Sequence, residues 1–358
     1  MCPRKLKELT TEEIKKEKPT DEKTPSDQQE EVTDASLQAL CEIRGIGPKT
    51  AEKLRDFGYC TVFDLATARA DELKEQMKVT YQQAQDWVHL SQDKVMSKMK
   101  VRTAVEFDKE KKEKQLFIPT GSSKLNQLLG GGIATGAITG LTGRFASGKT
   151  QICFEAIVEI LGKLKHKAVF IETEPDTFHL DRLKEIASNK HYDIDWDNLI
   201  VCGADQIPTM KAQYLQYKIV QSLLEKGEDI VLVCIDSFNA KIRAGWSRSE
   251  MLPLRTRELG EHFNLIEMLA AKYNIAWLLT CQSIAAPRPD QGLANMVKFG
   301  EQYYPVGGDY LLHSVNTWIG LSQIKSDVWR AVLFDSSYLP RGSAEFTING
   351  RGLIDGVR

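Results

Sequence analysis

Residues Gly143-Arg144-Phe145-Ala146-Ser147-Gly148-Lys149-Thr150 follow the pattern G-x-x-x-x-G-K-S/T of a phosphate-binding loop. The glycines let backbone N–H groups turn inward around a phosphate at a helix N-terminus. Lys149 is placed to reach the β- and γ-phosphates, and Thr150 offers its hydroxyl to Mg²⁺. The flanks fit the motif. Ala137–Leu141 is short and apolar, as a buried strand is, and Gln151–Val158 has helical periodicity. The expected ligand is a nucleoside triphosphate, with ATP and Mg²⁺ as the working pair.

Further polar groups stand at the ends of apolar runs. Val231–Ile235 ends in Asp236, where a Mg²⁺-organising acid belongs beside a phosphate loop. Ala168–Ile171 ends in Glu172-Thr173-Glu174, and either acid is a candidate general base. Spacing does not choose between them, because strand alternation puts both on one face. Ala276–Cys281 ends in Gln282, an amide suited to sensing a γ-phosphate. Apolar strands that each deliver a polar group to one edge imply ATP hydrolysis.

These groups need a sheet to hold them. Apolar runs at 168–171, 199–202, 230–236, 276–280, 317–321 and 331–334 alternate with helical stretches such as 211–224 and 259–272. That alternation predicts βαβ units and a mostly parallel sheet covered on both faces, with an antiparallel end. Upstream, residues 1–34 are rich in Lys, Glu, Asp, Thr and Pro and read as a disordered charged tail. Residues 35–95 read as a small all-α domain. Its Gly45-Ile46-Gly47 turn, beside Lys49 and Lys53, suits a helix-hairpin-helix that grips a phosphate backbone or serves only packing. Residues 96–115 form a charged connector, and the large domain runs from 116 to 358.

The chain has 358 residues, 42% hydrophobic and 27% charged, with a net charge of −2 and a pI near 6.4. Such a balance excludes a protein that is basic all over, so nucleic-acid contact must be local. No apolar run approaches a membrane span, and the charged first residues do not read as a signal peptide. The seven cysteines are scattered, without a C-x-x-C pair, as free thiols in a reducing cytoplasm would be.

Taken in order, these landmarks resemble the RecA-type strand-exchange recombinases, most closely the archaeal RadA branch and its eukaryotic relatives. The resemblance spans about residues 35–358. It rests on the helix-hairpin-helix, Pro119–Ser122 with Leu128–Ile133, the phosphate loop through Gln151, Thr173-Glu174 with Thr177-Phe178, and Ile235–Ser237. It continues through Pro305–Gly308, His313-Ser314, Asp335, Leu339-Pro340 and the closing Gly352–Asp355. The implied architecture is an α/β RecA-like ATPase core behind the helical domain.

The resemblance implies roles. Glu174 matches the catalytic base, with Lys149 and Gln282 as its catalytic companions. Arg182 matches an arginine stacked on adenine, although one extra residue separates it from Glu174. Asp335, Pro340 and His313 match groups that a neighbouring protomer lays over ATP. Arg243, Arg248 and Arg255 in a first DNA loop (about 242–257), and Arg288 and Lys298 in a second (about 283–304), match DNA contacts. The implied partners are single- and double-stranded DNA, further copies of the chain in a filament or ring, and another recombinase; no membrane is implied.

Three departures stand against this pattern. The family's Phe-x-x-Ala oligomerisation element reads Val101-Arg102-Thr103-Ala104, a smaller knob that forfeits about 1 kcal/mol or more of apolar contact. A Gly-Arg-Gly becomes Arg248-Ser249-Glu250. The hairpin Ser322–Arg330 carries few positive charges. Two readings therefore stand: a working DNA-dependent ATPase and recombinase, or a paralogue that binds ATP and a recombinase partner but exchanges strands weakly.

Overall fold

A computed structural model describes residues 37–245, 252–285 and 303–356. The expected tail at 1–34 lies outside the described residues. The chain divides into two compact units, Met1–Val105 and Glu106–Arg358.

The first unit is helical. After a helical turn at 37–41 come α1 (Pro48–Asp56), α2 (Val62–Ala66), α3 (Ala70–Met77) and α4 (Tyr81–Lys98). Local chemistry sets the starts. Pro48 occupies the first turn of α1, Thr61 and Asp64 form a reciprocal capping box on α2, and Thr80 caps α4. Leu40, Ile46, Leu54, Leu65, Leu73 and Trp87 close its core. Lys49 is exposed beside the Gly45–Gly47 turn, whereas Lys53 Nζ donates to the carbonyl of Met77 at 3.4 Å.

The expected connector contains a helix, α5 (Ala104–Lys114). It buries no side chain, so apolar periodicity could not reveal it; Lys112–Asp108 and Lys109–Glu113 pairs support it instead.

The second unit opens with a short antiparallel pair, β1 (Phe117–Ile118) and β2 (Ile133–Ala134), around α6 (Ser123–Leu128). There follow β3 (Ile138–Gly143), α7 (Lys149–Glu159), β4 (Lys167–Glu172), α8 (Leu180–Asn189), β5 (Leu199–Cys202), α9 (Met210–Glu225) and β6 (Ile230–Asp236). Next come α10 (Ala240–Gly245), α11 (Leu252–Tyr273), β7 (Ala276–Ala285), β8 (Tyr303–Pro305) and α12 (Gly308–His313). The unit ends with β9 (Thr317–Lys325), β10 (Val328–Ser336), β11 (Gly342–Asn349) and β12 (Gly352–Ile354).

One sheet runs β12-β11-β10-β9-β3-β7-β6-β4-β5, with β8 beside β7. From β9 to β5 the neighbours are parallel; β10, β11 and β12 return antiparallel, and so does β8. The central strands are buried on both faces. Phe170, Leu232, Cys234 and Leu278 meet α7 and α8, while Val169, Val233, Ile235 and Trp277 meet α9 and α11. Gly140 pairs with Trp318 on β9, and any side chain there would run into the indole ring. The parallel order brings the carboxyl ends of β3, β7, β6 and β4 to one edge.

Helix α11 begins earlier than periodicity predicts. Residues 252–257, assigned above to a DNA loop, are its first turns. Leu254 and Arg257 there are exposed, and Arg257 pairs with Glu261, so no apolar stripe announces the helix start.

Candidate active site

β3 delivers the phosphate loop to the carboxyl edge of the sheet. Gly148 holds φ 92° and ψ 7°, a left-handed conformation that glycine adopts at little cost, and α7 starts at the next residue. No side chain caps that N-terminus, so its first amides are left for an anion. Lys149 Nζ donates to the carbonyls of Gly143 at 3.0 Å and Arg144 at 2.9 Å, and to Ser147 Oγ at 3.3 Å. Burial pushes its pKa down, against the pull of Asp236 and Glu174. Phosphate oxygens would be stronger acceptors for this cation than the loop's own carbonyls.

Asp236, at the end of β6, is only 4% exposed. Thr150 Oγ1 donates to one of its carboxylate oxygens at 2.5 Å, and Thr280 Oγ1 donates to the other. Burial raises the Asp236 pKa in spite of those hydrogen bonds and of Lys149. A hard cation would lift that penalty. A hydroxyl and a carboxylate beside a phosphate cradle are the oxygen donors Mg²⁺ takes when substrate completes its shell. Among the described residues no group of three or more His, Cys, Asp or Glu side chains is placed to hold a metal, so a cation here would depend on phosphate oxygens.

The structure separates the two acids after β4. Glu174 Oε2 accepts from Ser237 Oγ at 2.9 Å, and its Oε1 accepts from the Gln282 side-chain amide. Glu172 is committed elsewhere. Its Oε1 accepts the backbone N–H groups of Thr177 and Phe178 at 2.9 and 3.0 Å, and its Oε2 accepts that of Ala204 at 3.3 Å. Burial would raise the Glu172 pKa, but those amides outweigh it and hold it below the usual carboxylate range. The alternation argument fails because β4 ends at Glu172 and the chain bends at Glu174, so a period of two does not extend that far.

Loop, Asp236, Glu174 and Gln282 line one pocket of about 590 Å³, joined by Ser237, Trp329 and Ile348. Ser237 and Thr280 were not singled out from sequence. Their signal was present: Ser237 follows Asp236, and Thr280 lies two residues before Gln282 on the same strand face. Trp329 and Ile348 come from β10 and β11, and neither belongs to a motif that marks it as a site residue.

The other expected site residues fall in several places. Phe145, at the loop tip, is fully exposed. Arg182 does not line the pocket. Its guanidinium donates to Gln151 Oε1 at 2.9 Å, to Glu185 at 2.5 Å and to the Asn349 carbonyl at 2.6 Å. Asp335, Pro340 and His313 are exposed and do not line the pocket. Pro340 lines a separate depression with Lys124 and Arg341. Arg243 lies on α10. Arg255 lies on α11, half-buried, with its guanidinium against Gly308 and its Nε unpartnered among the described residues. Arg248, Arg288 and Lys298 lie outside the described residues. Val101 is 96% exposed and Ala104 is also exposed.

Two family profiles match this chain. One, described as Rad51, covers residues 111–356, and one, described as a SAM-like helix-hairpin-helix tandem, covers residues 37–89. The chain is similar to a DNA repair and recombination protein RadA of Aeropyrum pernix, with 31% identity over 326 residues. That match covers 89% of this chain and 97% of the relative. A protein of the same description from Ignicoccus hospitalis is 32% identical over 331 residues, covering 88% of this chain and 95% of its own length.

Proposed function

The chain belongs to the Rad51 family of RecA-type recombinases, and from that premise we propose that it is an ATP-dependent DNA recombinase. It assembles as a filament on single-stranded DNA and pairs that strand with homologous duplex. The observation that carries the reading is the junction of Lys149, the Thr150–Asp236 pair and the Gln282–Glu174 pair at one sheet edge.

In this mechanism the loop amides and Lys149 bind and orient the triphosphate. Mg²⁺, when bound, supplies Lewis-acid charge to the phosphate oxygens, and Thr150 and Asp236 would hold it. Glu174 takes the proton of the attacking water. Ser237 and Gln282 fix its carboxylate in one orientation, so the base is positioned before substrate arrives. Gln282 stands on β7, whose continuation leads into the second expected DNA loop, about residues 283–304. Its hydrogen bond to Glu174 gives the site a direct link to that loop.

Asp335, Pro340 and His313 are exposed on the same chain and leave its own pocket untouched. This supports a site completed by a neighbouring copy, with assembly and nucleotide state linked. The test is joint-molecule formation between circular single-stranded DNA and homologous linear duplex, with electron microscopy of the protein–DNA complex. ATP-dependent filaments and joint molecules are expected. A chain that binds ATP and DNA yet gives neither would sink the proposal.

A further inference from the structure

The phosphate end of the pocket is crowded with polar groups, yet a nucleotide also brings a sugar and a base. Ligand pockets typically pair a few placed polar groups with apolar or aromatic walls. Here the wall is made by Trp329 and Ile348, contributed by adjacent antiparallel strands. Trp329 pairs with Phe346, and Ile348 lies two residues farther along β11 on the same face. A register shift opposite Val328 and Trp329 leaves Ile324 of β9 out of the pairing, so the ladder is interrupted at this point.

The indole lies over the phosphate loop. A Cβ placed on Gly148 would meet Ile348 Cδ1 at 2.8 Å and the Trp329 Cδ1 and Nε1 atoms at 3.5 and 3.6 Å. The edge that carries the N–H thus faces the glycine just before Lys149. That Nε1 is buried and has no hydrogen-bond partner among the described residues. Buried indole N–H groups normally find a partner, and an orphan in a pocket wall calls for one. The Asn349 carbonyl, next to Ile348, holds Arg182, which also holds Gln151 of α7. The wall and the start of α7 are therefore tied together on this side of the loop.

We propose that Trp329, with Ile348, receives the nucleoside part of the bound nucleotide: the ring lies against sugar and base, and the indole N–H donates to a polar atom of that part. The inference rests on the reading of the loop as a triphosphate site and deepens it. The charged groups at the phosphate end hold the anion of any triphosphate. Trp329 distinguishes a nucleotide from a bare polyphosphate.

The test measures the affinity of the full chain for ATP and for inorganic triphosphate by calorimetry at fixed Mg²⁺. Trp329→Ala removes ring and donor, whereas Trp329→Phe keeps a ring and removes only the donor. Trp329→Ala is expected to weaken ATP by about tenfold, the worth of one base–aromatic contact. Trp329→Phe is expected to weaken it by about threefold. Neither should move triphosphate affinity by more than about twofold on the same scale. Wild-type tryptophan emission should change with ATP but not with triphosphate, and Trp329→Phe should abolish that change. Parallel losses for both ligands would mean that the indole only shapes the loop, and unchanged ATP affinity would mean that the wall is unused; either overturns this proposal alone. A wild-type chain that bound neither ligand would overturn the triphosphate reading and this proposal with it.

Discussion

Gln282 donates its side-chain amide to Glu174 across 108 positions of sequence, from β7 to the bend after β4. The contact joins the group read as general base to the strand that leads toward the second expected DNA loop. Ser237 holds the other carboxylate oxygen at 2.9 Å. Glu174 is thus oriented by two neighbours that do not neutralise it.

Glu174→Gln should bind ATP with near wild-type affinity and lose turnover by about a hundredfold or more, the usual worth of a positioned base. Single-turnover hydrolysis beside equilibrium binding of ATP checks this. Wild-type turnover in the variant would mean that another group takes the proton.

Glu172→Gln should behave in the opposite way. It weakens a charged acceptor of three backbone N–H groups, so it should cost about 1 to 2 kcal/mol of stability. Urea unfolding reads that loss, and turnover per folded molecule should stay close to wild type. A specific loss of turnover without a stability change would reverse the roles assigned to the two acids.

The contrast between these acids shows what the sequence carries. Loop, strand ends and helices were legible because a phosphate cradle needs glycine, lysine and threonine at fixed spacing, and because strands buried on both faces read as apolar runs. Glu172 and Glu174 could not be separated, because the deciding partners are the amides of an irregular turn at Thr177 and Phe178, which no period announces, and Ala204, Ser237 and Gln282, which only the fold brings near. The wall at Trp329 and Ile348 was illegible for the same reason. Helix α5 escaped because it buries no side chain, and the start of α11 escaped because Leu254 and Arg257 there are exposed and set no period.

His262 gives a pH dependence. It is 1% exposed and ringed by Tyr214, Tyr217 and Phe238, and burial pushes its pKa down to about 4. The folded state therefore keeps it neutral, while the unfolded chain protonates it near its ordinary value. Stability contributed by the neutral ring is present above that value and lost as pH falls toward the folded pKa. Between about pH 7 and about pH 5 the loss should be about 2 kcal/mol. Urea unfolding of wild type and His262→Phe across that range checks it, with the wild type showing the steeper fall. Equal slopes would contradict the assignment.

Arg243, on α10 at the entrance to the first expected DNA loop, should contact phosphate. Arg243→Ala should weaken single-stranded DNA binding similarly across sequences and reduce the slope of log affinity against log salt by about one. ATP affinity without DNA should not change. Fluorescence anisotropy over a salt series checks this, and untouched DNA binding would mean that the loop has been misplaced.

The most direct test is steady-state ATP turnover with and without single-stranded DNA across a salt series, with Lys149→Ala as the blank. Turnover that rises clearly with DNA, fades as salt displaces the DNA and vanishes in Lys149→Ala is the predicted result. Turnover indifferent to DNA, or ATP binding with no turnover at all, would contradict a site assembled on DNA and would leave the chain as an ATP-binding partner of another recombinase.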